Sequence, residues 1–143
     1  DGLCPKILLE DLPYDVTIND ELRLDGHEDS VSLSIAFPNY KMFYRYRANT
    51  QSRGWAVIAI NPSVLWECEC AFCKHNAADS RIARVPLEKL KSLSSFQAMF
   101  AEDESGNALA GILGVDYKQE TRETNKLKSF DPTDPQAEVL VFD

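Results

Sequence analysis

Strict two-residue alternation in SVSLSIAF (residues 30–37) is the pattern that most restricts the fold of this chain. Val31, Leu33 and Ile35 alternate with small residues, mostly serine. A period of two residues places successive side chains on opposite faces of a strand. The segment therefore predicts a strand with one apolar face and one face rich in hydroxyl groups.

The residues that follow this strand have the spacing of a short helix. Pro38 stands where a first helical residue is expected, because the missing N–H of proline costs nothing there. Aromatic and basic side chains then recur at intervals of three and four residues, at Tyr40, Phe43, Tyr44 and Arg47. The sequence predicts a strand that leads directly into an aromatic helix.

Three further segments carry regular patterns. The uninterrupted apolar run WAVIAI (55–60) predicts a buried central strand, and residues 85–100 have the leucine spacing of one amphipathic helix. From 101 to 134 the sequence becomes mostly polar and irregular, which is unusual in a compact domain and predicts a functional or mobile loop. AEVLVF (137–142) predicts a last strand, with Glu138 at its start.

Length and composition predict a soluble chain with one core. The 143 residues fit a single compact domain. The apolar fraction of 44% is ordinary, and no apolar run approaches the roughly 20 residues that a membrane span needs. Three of the four cysteines are too close in sequence to pair comfortably with one another, so we expect free thiols and a cytoplasmic location rather than a disulfide framework.

The charge of the chain is unevenly distributed. The formal net charge of −8 argues at first against a nucleic-acid partner, because phosphate contacts need Lys and Arg. Residues 1–30 carry nine acidic and two basic side chains, residues 31–100 carry four and nine, and residues 101–143 carry ten and four. The basic middle permits a local cationic groove, and a solvated mixed surface would give the same pattern.

Three cysteines and a histidine lie close together in WECECAFCKHNAADSR (66–81). Cys68, Cys70, Cys73 and His75 are ligands that Zn²⁺ accepts. Structural zinc sites usually join two separated pairs of ligands, however, and the second pair is missing here. We therefore expect no metal and packed thiols, while a non-catalytic module built on a zinc knuckle stays as the alternative.

Several segments together resemble the DarT family of NAD-dependent DNA ADP-ribosyltransferases, toxins that are paired with the macrodomain antitoxin DarG. They are DGL (1–3) and the residues 23–47, 55–78 and 133–142, in family order. The most specific parts are the Ser-Leu-Ser strand that leads into FPNYKMFY and the terminal DPQAEVLV. The resemblance implies an α+β, ADP-ribosyltransferase-like fold in which twisted antiparallel sheets and short flanking helices surround an NAD cleft. It also implies NAD as a substrate, single-stranded DNA as the acceptor, a DarG-like partner and a role as a toxin or phage-defence effector.

The resemblance also implies two catalytic residues. Cleavage of the bond between nicotinamide and ribose passes through an oxocarbenium-like state, which a carboxylate on rigid backbone stabilises. Glu138 matches the catalytic glutamate of the family. Arg23 lies where the family has its catalytic arginine, and a guanidinium can bind the NAD pyrophosphate and assist at the acceptor base.

Further residues are expected to contact the substrates. Ser32 and Ser34 can bond the nicotinamide ribose or carboxamide, and one or two of the aromatic residues Tyr40, Phe43 and Tyr44 can stack on nicotinamide. Basic side chains interleave with these aromatics and suit single-stranded DNA, namely Lys41, Arg45, Arg47 and Arg53. The stretch 66–81 is expected to shape the wall beside the NAD cleft.

Two matters stay open at the level of sequence. Residues from about 103 to 137 correspond to the family's acceptor loop, and the choice between thymine and guanine cannot be deduced from them. RNA or protein also stays an alternative acceptor. Because the family's NAD-binding histidine precedes the GL dipeptide, we expect residues 1–143 to be one domain that lacks its N-terminal His-bearing strand and a C-terminal piece.

Overall fold

A computed structural model describes residues 3–13, 22–50, 54–101 and 130–142 of the protein. The described part is a small α+β structure, which confirms the α+β class of the predicted fold. Its sheet has three strands, β1 (Val31–Leu33), β2 (Glu69–Cys73) and β3 (Glu138–Phe142). A 3₁₀ helix precedes β1, and five short helices accompany the sheet. They are the 3₁₀ helix Lys6–Asp11 and the helices α1 (Tyr40–Asn49), α2 (Val64–Glu67), α3 (Ser80–Ala83), α4 (Leu87–Leu90) and α5 (Leu93–Ala98).

Strand β3 lies in the middle of the sheet, and both of its neighbours run antiparallel to it. Ser32 of β1 is opposite Leu140, and on the other edge Cys73 of β2 is opposite Glu138. The last strand predicted from AEVLVF is thereby confirmed. Its near-continuous apolar sequence fits this position, because a strand covered on both faces has no solvent-facing side.

Two apolar clusters cover the two faces of the sheet. Leu140 and Phe142 pack on one face with residues of the loop after β2 and of α3 and α4, including Ile82 and Leu90. Val139 packs on the other face with Cys70, Met99 and the phenylalanines of the α5 region. Since β3 contributes to both clusters, it carries the core of the described structure.

The predicted strand 30–37 and the helix after it are partly confirmed. Strand β1 is only three residues long, and the chain turns at Ala36, whose φ is 62°. Helix α1 begins two residues after Pro38, because Asn39 is its N-cap and accepts a hydrogen bond from the Met42 N–H. The sequence predicted Pro38 as the first helical residue, whereas Pro38 precedes the cap.

Two other predictions were wrong. Residues 55–60 form no strand, because neither edge of this segment pairs with a strand in the described structure. The segment is not buried either, since Val57 and Ile58 are 64% and 70% exposed. The single helix over 85–100 is divided into α4 and α5. Ser92 adopts an extended conformation between them, and its hydroxyl accepts from the Ser95 N–H as the N-cap of α5.

Among the described residues, no helix combines the length and the apolar character that crossing a bilayer requires. Most of the predicted loop 101–134 lies outside the described residues.

Leucine substitutions test the central position of β3. Leu140 has no exposed surface, so Leu140→Ala should lower the free energy of unfolding by about 2–5 kcal/mol through lost burial and a cavity. Leu93→Ala is the matched control, because Leu93 is 70% exposed and the same change should cost no more than about 0.5 kcal/mol. Urea unfolding of both variants measures the difference. Equal destabilisation would contradict the assignment of Leu140 to the core.

Candidate active site

Glu138 is a buried carboxylate at the start of the central strand, with 8% of its surface exposed. Its side chain lies on the same sheet face as Leu140, between β1 and β2. One carboxylate oxygen accepts from the side-chain amide of Asn76 at 2.6 Å, and the other faces the Ala77 N–H at 3.4 Å. The Ser32 side chain also hydrogen-bonds the carboxylate. Three donors from two parts of the chain, the loop after β2 and strand β1, therefore orient this group.

The pKa of Glu138 is raised above its ordinary value of 4.5, and burial is the largest cause. The negative charge of Asp25 raises it further. Hydrogen bonds from the Ala77 N–H, Ser32 and Asn76 act in the opposite direction, because they stabilise the ionised form. Burial prevails, so the folded chain holds this carboxylate in an environment that penalises its charge.

The loop between β2 and α3 supplies two of these donors. Asn76 donates to Glu138, while its amide oxygen accepts from the Ala78 N–H at 3.0 Å. Beside it, His75 Nδ1 lies 2.6 Å from a carboxylate oxygen of Asp134, in the turn that leads into β3. The stretch 66–81, expected to line the wall of an NAD cleft, thus contributes Asn76 and Ala77 to the surroundings of Glu138.

The loop before β1 lies over the same face of the sheet. The guanidinium of Arg23 binds both carboxylate oxygens of Asp25, at 2.9 and 3.1 Å, and also bonds Ser30 and the carbonyl of His27. The side chains of Arg23 and Asp25 are 10% and 9% exposed. The His27 ring packs edge-on against Phe142, with centroids 5.9 Å apart. Arg23 therefore holds this loop together, and the loop brings Asp25 close enough to Glu138 to raise its pKa.

The other predicted substrate residues lie further along the chain. Ser34 is exposed just after β1, and Tyr40 and Tyr44 are exposed on α1. Phe43 is half-buried, since its ring packs edge-on against Trp55 at a centroid distance of 5.9 Å. The structure brings Ser32 to Glu138, whereas Phe43 contacts Trp55 and Arg47.

The predicted DNA-binding residues are on the surface of helix α1. Lys41, Arg45 and Arg47 are exposed there, and the guanidinium of Arg47 lies over the Phe43 ring, 5.5 Å from its centroid. Arg53 lies outside the described residues. Exposed aromatic and cationic side chains alternate along this helix, as a surface for stacked bases and phosphates requires.

The cysteines are separated by the sheet. Cys70 and Cys73 are buried on opposite faces of β2, while Cys68 is exposed before the strand. Burial, together with the charges of Glu138 and Asp25, raises the pKa of Cys73 to about 12. Packing of these two buried thiols is thereby confirmed. No cluster of three potential metal ligands occurs among the residues that the structure describes.

Sequence reasoning missed Asn76, Asp25 and Asp134, although all three lie in or next to segments that the family resemblance covered. The one available signal was the position of Asn76, a polar residue three residues before the helix cap Asp79. Such a residue is usually assigned to a turn. Only the pairing of β2 with β3 brings it to Glu138.

Comparison with known protein families assigns the chain to a family. The DarT family, described as ssDNA thymidine ADP-ribosyltransferase, matches residues 2–143. The chain belongs to the DarT family. It is therefore an NAD-dependent ADP-ribosyltransferase that acts on single-stranded DNA, as the resemblance predicted. No curated protein gives a match to the chain. Nothing in the comparison supports a zinc-knuckle module or another acceptor polymer.

The raised pKa of Glu138 predicts how stability depends on pH. Just above pH 4.5 the folded chain keeps a proton that the unfolded chain has lost. The stabilisation that this proton provides is fully present below pH 4.5 and is lost as the pH rises through the folded-state pKa of Glu138. Relative to Glu138→Gln, wild-type stability should fall across that window, by at most about 1.4 kcal/mol per pH unit.

Urea unfolding of both proteins between pH 4 and pH 8 measures this difference. Glu88→Gln is the control, because the Glu88 side chain is 85% exposed and its variant should follow the wild type. If the stability of the wild type relative to Glu138→Gln rises with pH, or does not change with pH, the assigned environment of Glu138 is contradicted.

Proposed function

We propose that Glu138 is the catalytic carboxylate of this transferase and that it acts on the nicotinamide ribose of NAD. The bond between ribose C1′ and nicotinamide breaks, nicotinamide leaves with the electron pair, and positive charge develops on the ribose. A carboxylate in a poorly solvated site stabilises that charge more strongly than one in water, because fewer solvent dipoles screen it. The burial of Glu138 is the observation that carries this proposal.

The acceptor follows from the family description. In thymidine, N3 is the only ring nitrogen that carries a proton, so it is the nitrogen that can form the new C1′–N bond and release a proton. We infer that thymidine in single-stranded DNA is the acceptor of this chain. Pairing would hide N3, which is consistent with a single-stranded substrate.

Ser32 of β1 and Ser34, just after the strand, are proposed ligands of the ribose. Ser32 hydrogen-bonds Glu138 and lies on the same sheet face, so a ribose hydroxyl that reaches the carboxylate also reaches Ser32. Ser34, two residues further along and exposed, would contact the ribose or the carboxamide. Together with Glu138 they would line one wall of the NAD cleft, on the sheet face to which the paired strands β1 and β3 contribute, in the ADP-ribosyltransferase-like fold.

Arg23 is proposed to act at the same face. Its guanidinium is occupied by Asp25, Ser30 and His27, so contact with the NAD pyrophosphate would require exchange of at least one of these partners. Two bonds to Asp25 would still hold the loop if the contacts with Ser30 and His27 were replaced. Arg23 can thereby hold the loop through Asp25 and bind a phosphate oxygen at the same time.

The DNA is proposed to approach over helix α1. Tyr40 and Tyr44 offer exposed rings for base or nicotinamide stacking, and Arg45 and Arg47 offer charge for the phosphates. Lys41 and Arg53 belong to the same proposed surface, with Phe43 behind it.

The segment between α5 and β3 is proposed to present the acceptor base. Residues 102–129 lie outside the described residues, but both flanks are described. The Thr133 N–H donates to the Met99 carbonyl at 2.8 Å, and Lys74 and the Thr133 hydroxyl both donate to the Ala101 carbonyl. Both described flanks therefore lie beside the loop after β2, in which Asn76 and Ala77 contact Glu138. This location supports a role in positioning thymidine.

A biological role follows from the chemistry. ADP-ribose on N3 blocks the Watson–Crick edge of thymine, so we propose that the chain is a toxin or phage-defence effector. A DarG-like macrodomain antitoxin is the proposed partner. The free thiols among the described residues support a reducing location such as the cytoplasm.

Loss of the carboxylate should abolish transfer. Glu138→Gln should lower the rate of ADP-ribosylation by about a thousandfold, because it removes the charge that stabilises the transition state. The assay uses NAD and single-stranded oligonucleotides with and without thymidine, with mass spectrometry of the products. Glu88→Gln is the control and should keep full activity. Wild-type rates for Glu138→Gln, or equal labelling of an RNA oligonucleotide, would contradict the proposal.

Removal of one basic side chain from α1 should weaken DNA binding in a salt-dependent manner. Each phosphate contact with single-stranded DNA contributes about 0.7 to the slope of log K against log salt concentration. Arg45→Ala should reduce the slope by about this amount, whereas Lys89→Ala, an exposed lysine on α4, should leave it unchanged. Fluorescence anisotropy with an oligothymidine measures both. Identical slopes for the two variants would exclude Arg45 from the DNA path.

A further inference from the structure

The side chain of Asn76 is fixed on both sides. Its amide oxygen accepts from the Ala78 N–H at 3.0 Å, so its NH₂ group must be the part that faces Glu138. That group donates to the Glu138 carboxylate at 2.6 Å, a short hydrogen bond. The orientation of this amide is therefore determined by the backbone of its own loop.

The loop that carries Asn76 is itself attached to the strand that carries Glu138. His75 and Asn76 are consecutive, and they contact Asp134 and Glu138, which lie on either side of the turn into β3. The Ala77 N–H adds a contact to the second oxygen of Glu138, and the Asp79 N–H bonds the Asn76 carbonyl. Rotation of the carboxylate would break the bonds from Asn76 and Ala77 together.

We propose that Asn76 is a positioning residue for transfer, which holds the Glu138 carboxylate in the orientation that meets the nicotinamide ribose. This inference rests on the proposed catalytic role of Glu138. Asn76 occupies Oε1, while the contact between Oε2 and the Ala77 N–H, at 3.4 Å, is long. Each oxygen of an ionised carboxylate can accept two hydrogen bonds, so the group keeps accepting capacity for a ribose hydroxyl while Asn76 is bound to Oε1.

Asn76 also opposes the groups that disfavour charge on Glu138. Asp25 faces the carboxylate from the loop before β1, the Cys73 thiol is opposite it on β2, and the Ser32 hydroxyl lies on β1. Among these neighbours Asp25 repels the ionised form, while Ser32 and Asn76 bond it. Removal of the Asn76 donor should therefore raise the pKa of Glu138 and move the acidic limb of the activity profile to higher pH.

Two substitutions of Asn76 test this inference. Asn76→Ala removes both side-chain bonds, whereas Asn76→Asp retains the acceptor for the Ala78 N–H and replaces the donor by a second negative charge. We expect kcat for DNA ADP-ribosylation to fall by up to about a hundredfold, with the KM for NAD changed less than about threefold. The acidic limb of kcat should move up by about one pH unit in Asn76→Ala and further in Asn76→Asp.

Asn61→Asp is a matched control. The Asn61 side chain accepts from the Ser63 N–H at 3.0 Å, which is the same local bond that Asn76 makes with Ala78, but Asn61 is exposed. Its variant should keep the wild-type kcat and pH profile. Thermal unfolding of all variants identifies any that fail to fold. If Asn76→Ala does not fold, the kinetics of Asn76→Asp decide the test.

The outcomes separate the two levels of the account. If Glu138→Gln is inactive and both Asn76 variants keep the wild-type acidic limb and kcat, Asn76 has no positioning role and the role of Glu138 stands. If the loss appears in KM alone, the inference is likewise overturned. If Glu138→Gln remains active, the proposed function itself fails.

Discussion

Backbone hydrogen bonds along both edges of β3 hold the described structure together. The strand joins β1, from the first third of the sequence, to β2, from its middle, and neither neighbour pairs with the other. Both apolar clusters have residues of β3 at their centre, Leu140 on one face and Val139 on the other. Without this strand, β1 and β2 would lose their ladder and both clusters would lose their central members. These contacts close long stretches of chain, so their entropic cost must be met by the packing of the strand.

The same strand explains how a carboxylate can be buried here. Desolvation of an ionised carboxylate costs several kcal/mol unless donors replace the lost water. β3 places Glu138 where Ser32 and the Asn76–Ala77 loop approach it from opposite edges of the sheet. The backbone of Glu138 is paired with Cys73 of β2, and the ladder with β1 begins at its neighbour Val139, so the start of the strand is held in place. Rigidity and partial compensation of charge are together what transition-state stabilisation by a fixed group requires.

The sequence predicted the parts of this arrangement that depend on local pattern. The last strand and the helix after residue 38 are such cases, because hydrophobic period and apolar runs report on neighbours in sequence. WAVIAI was misassigned since hydrophobicity indicates a tendency to be buried and says nothing about a partner for the backbone. Family resemblance selected Glu138. Asn76 and Asp25 were out of reach, because their roles arise only from contacts between segments about sixty and over a hundred residues apart.

A crystal structure of the chain with a non-hydrolysable NAD analogue tests the central claim most directly. The account predicts a hydroxyl of the nicotinamide ribose within about 3 Å of the Glu138 carboxylate, with Asn76 still bonded to Oε1. It also predicts Ser32 beside the same ribose. An analogue whose ribose is bound by a different carboxylate, or is distant from the start of β3, would contradict the assignment of Glu138 as the group that stabilises transfer.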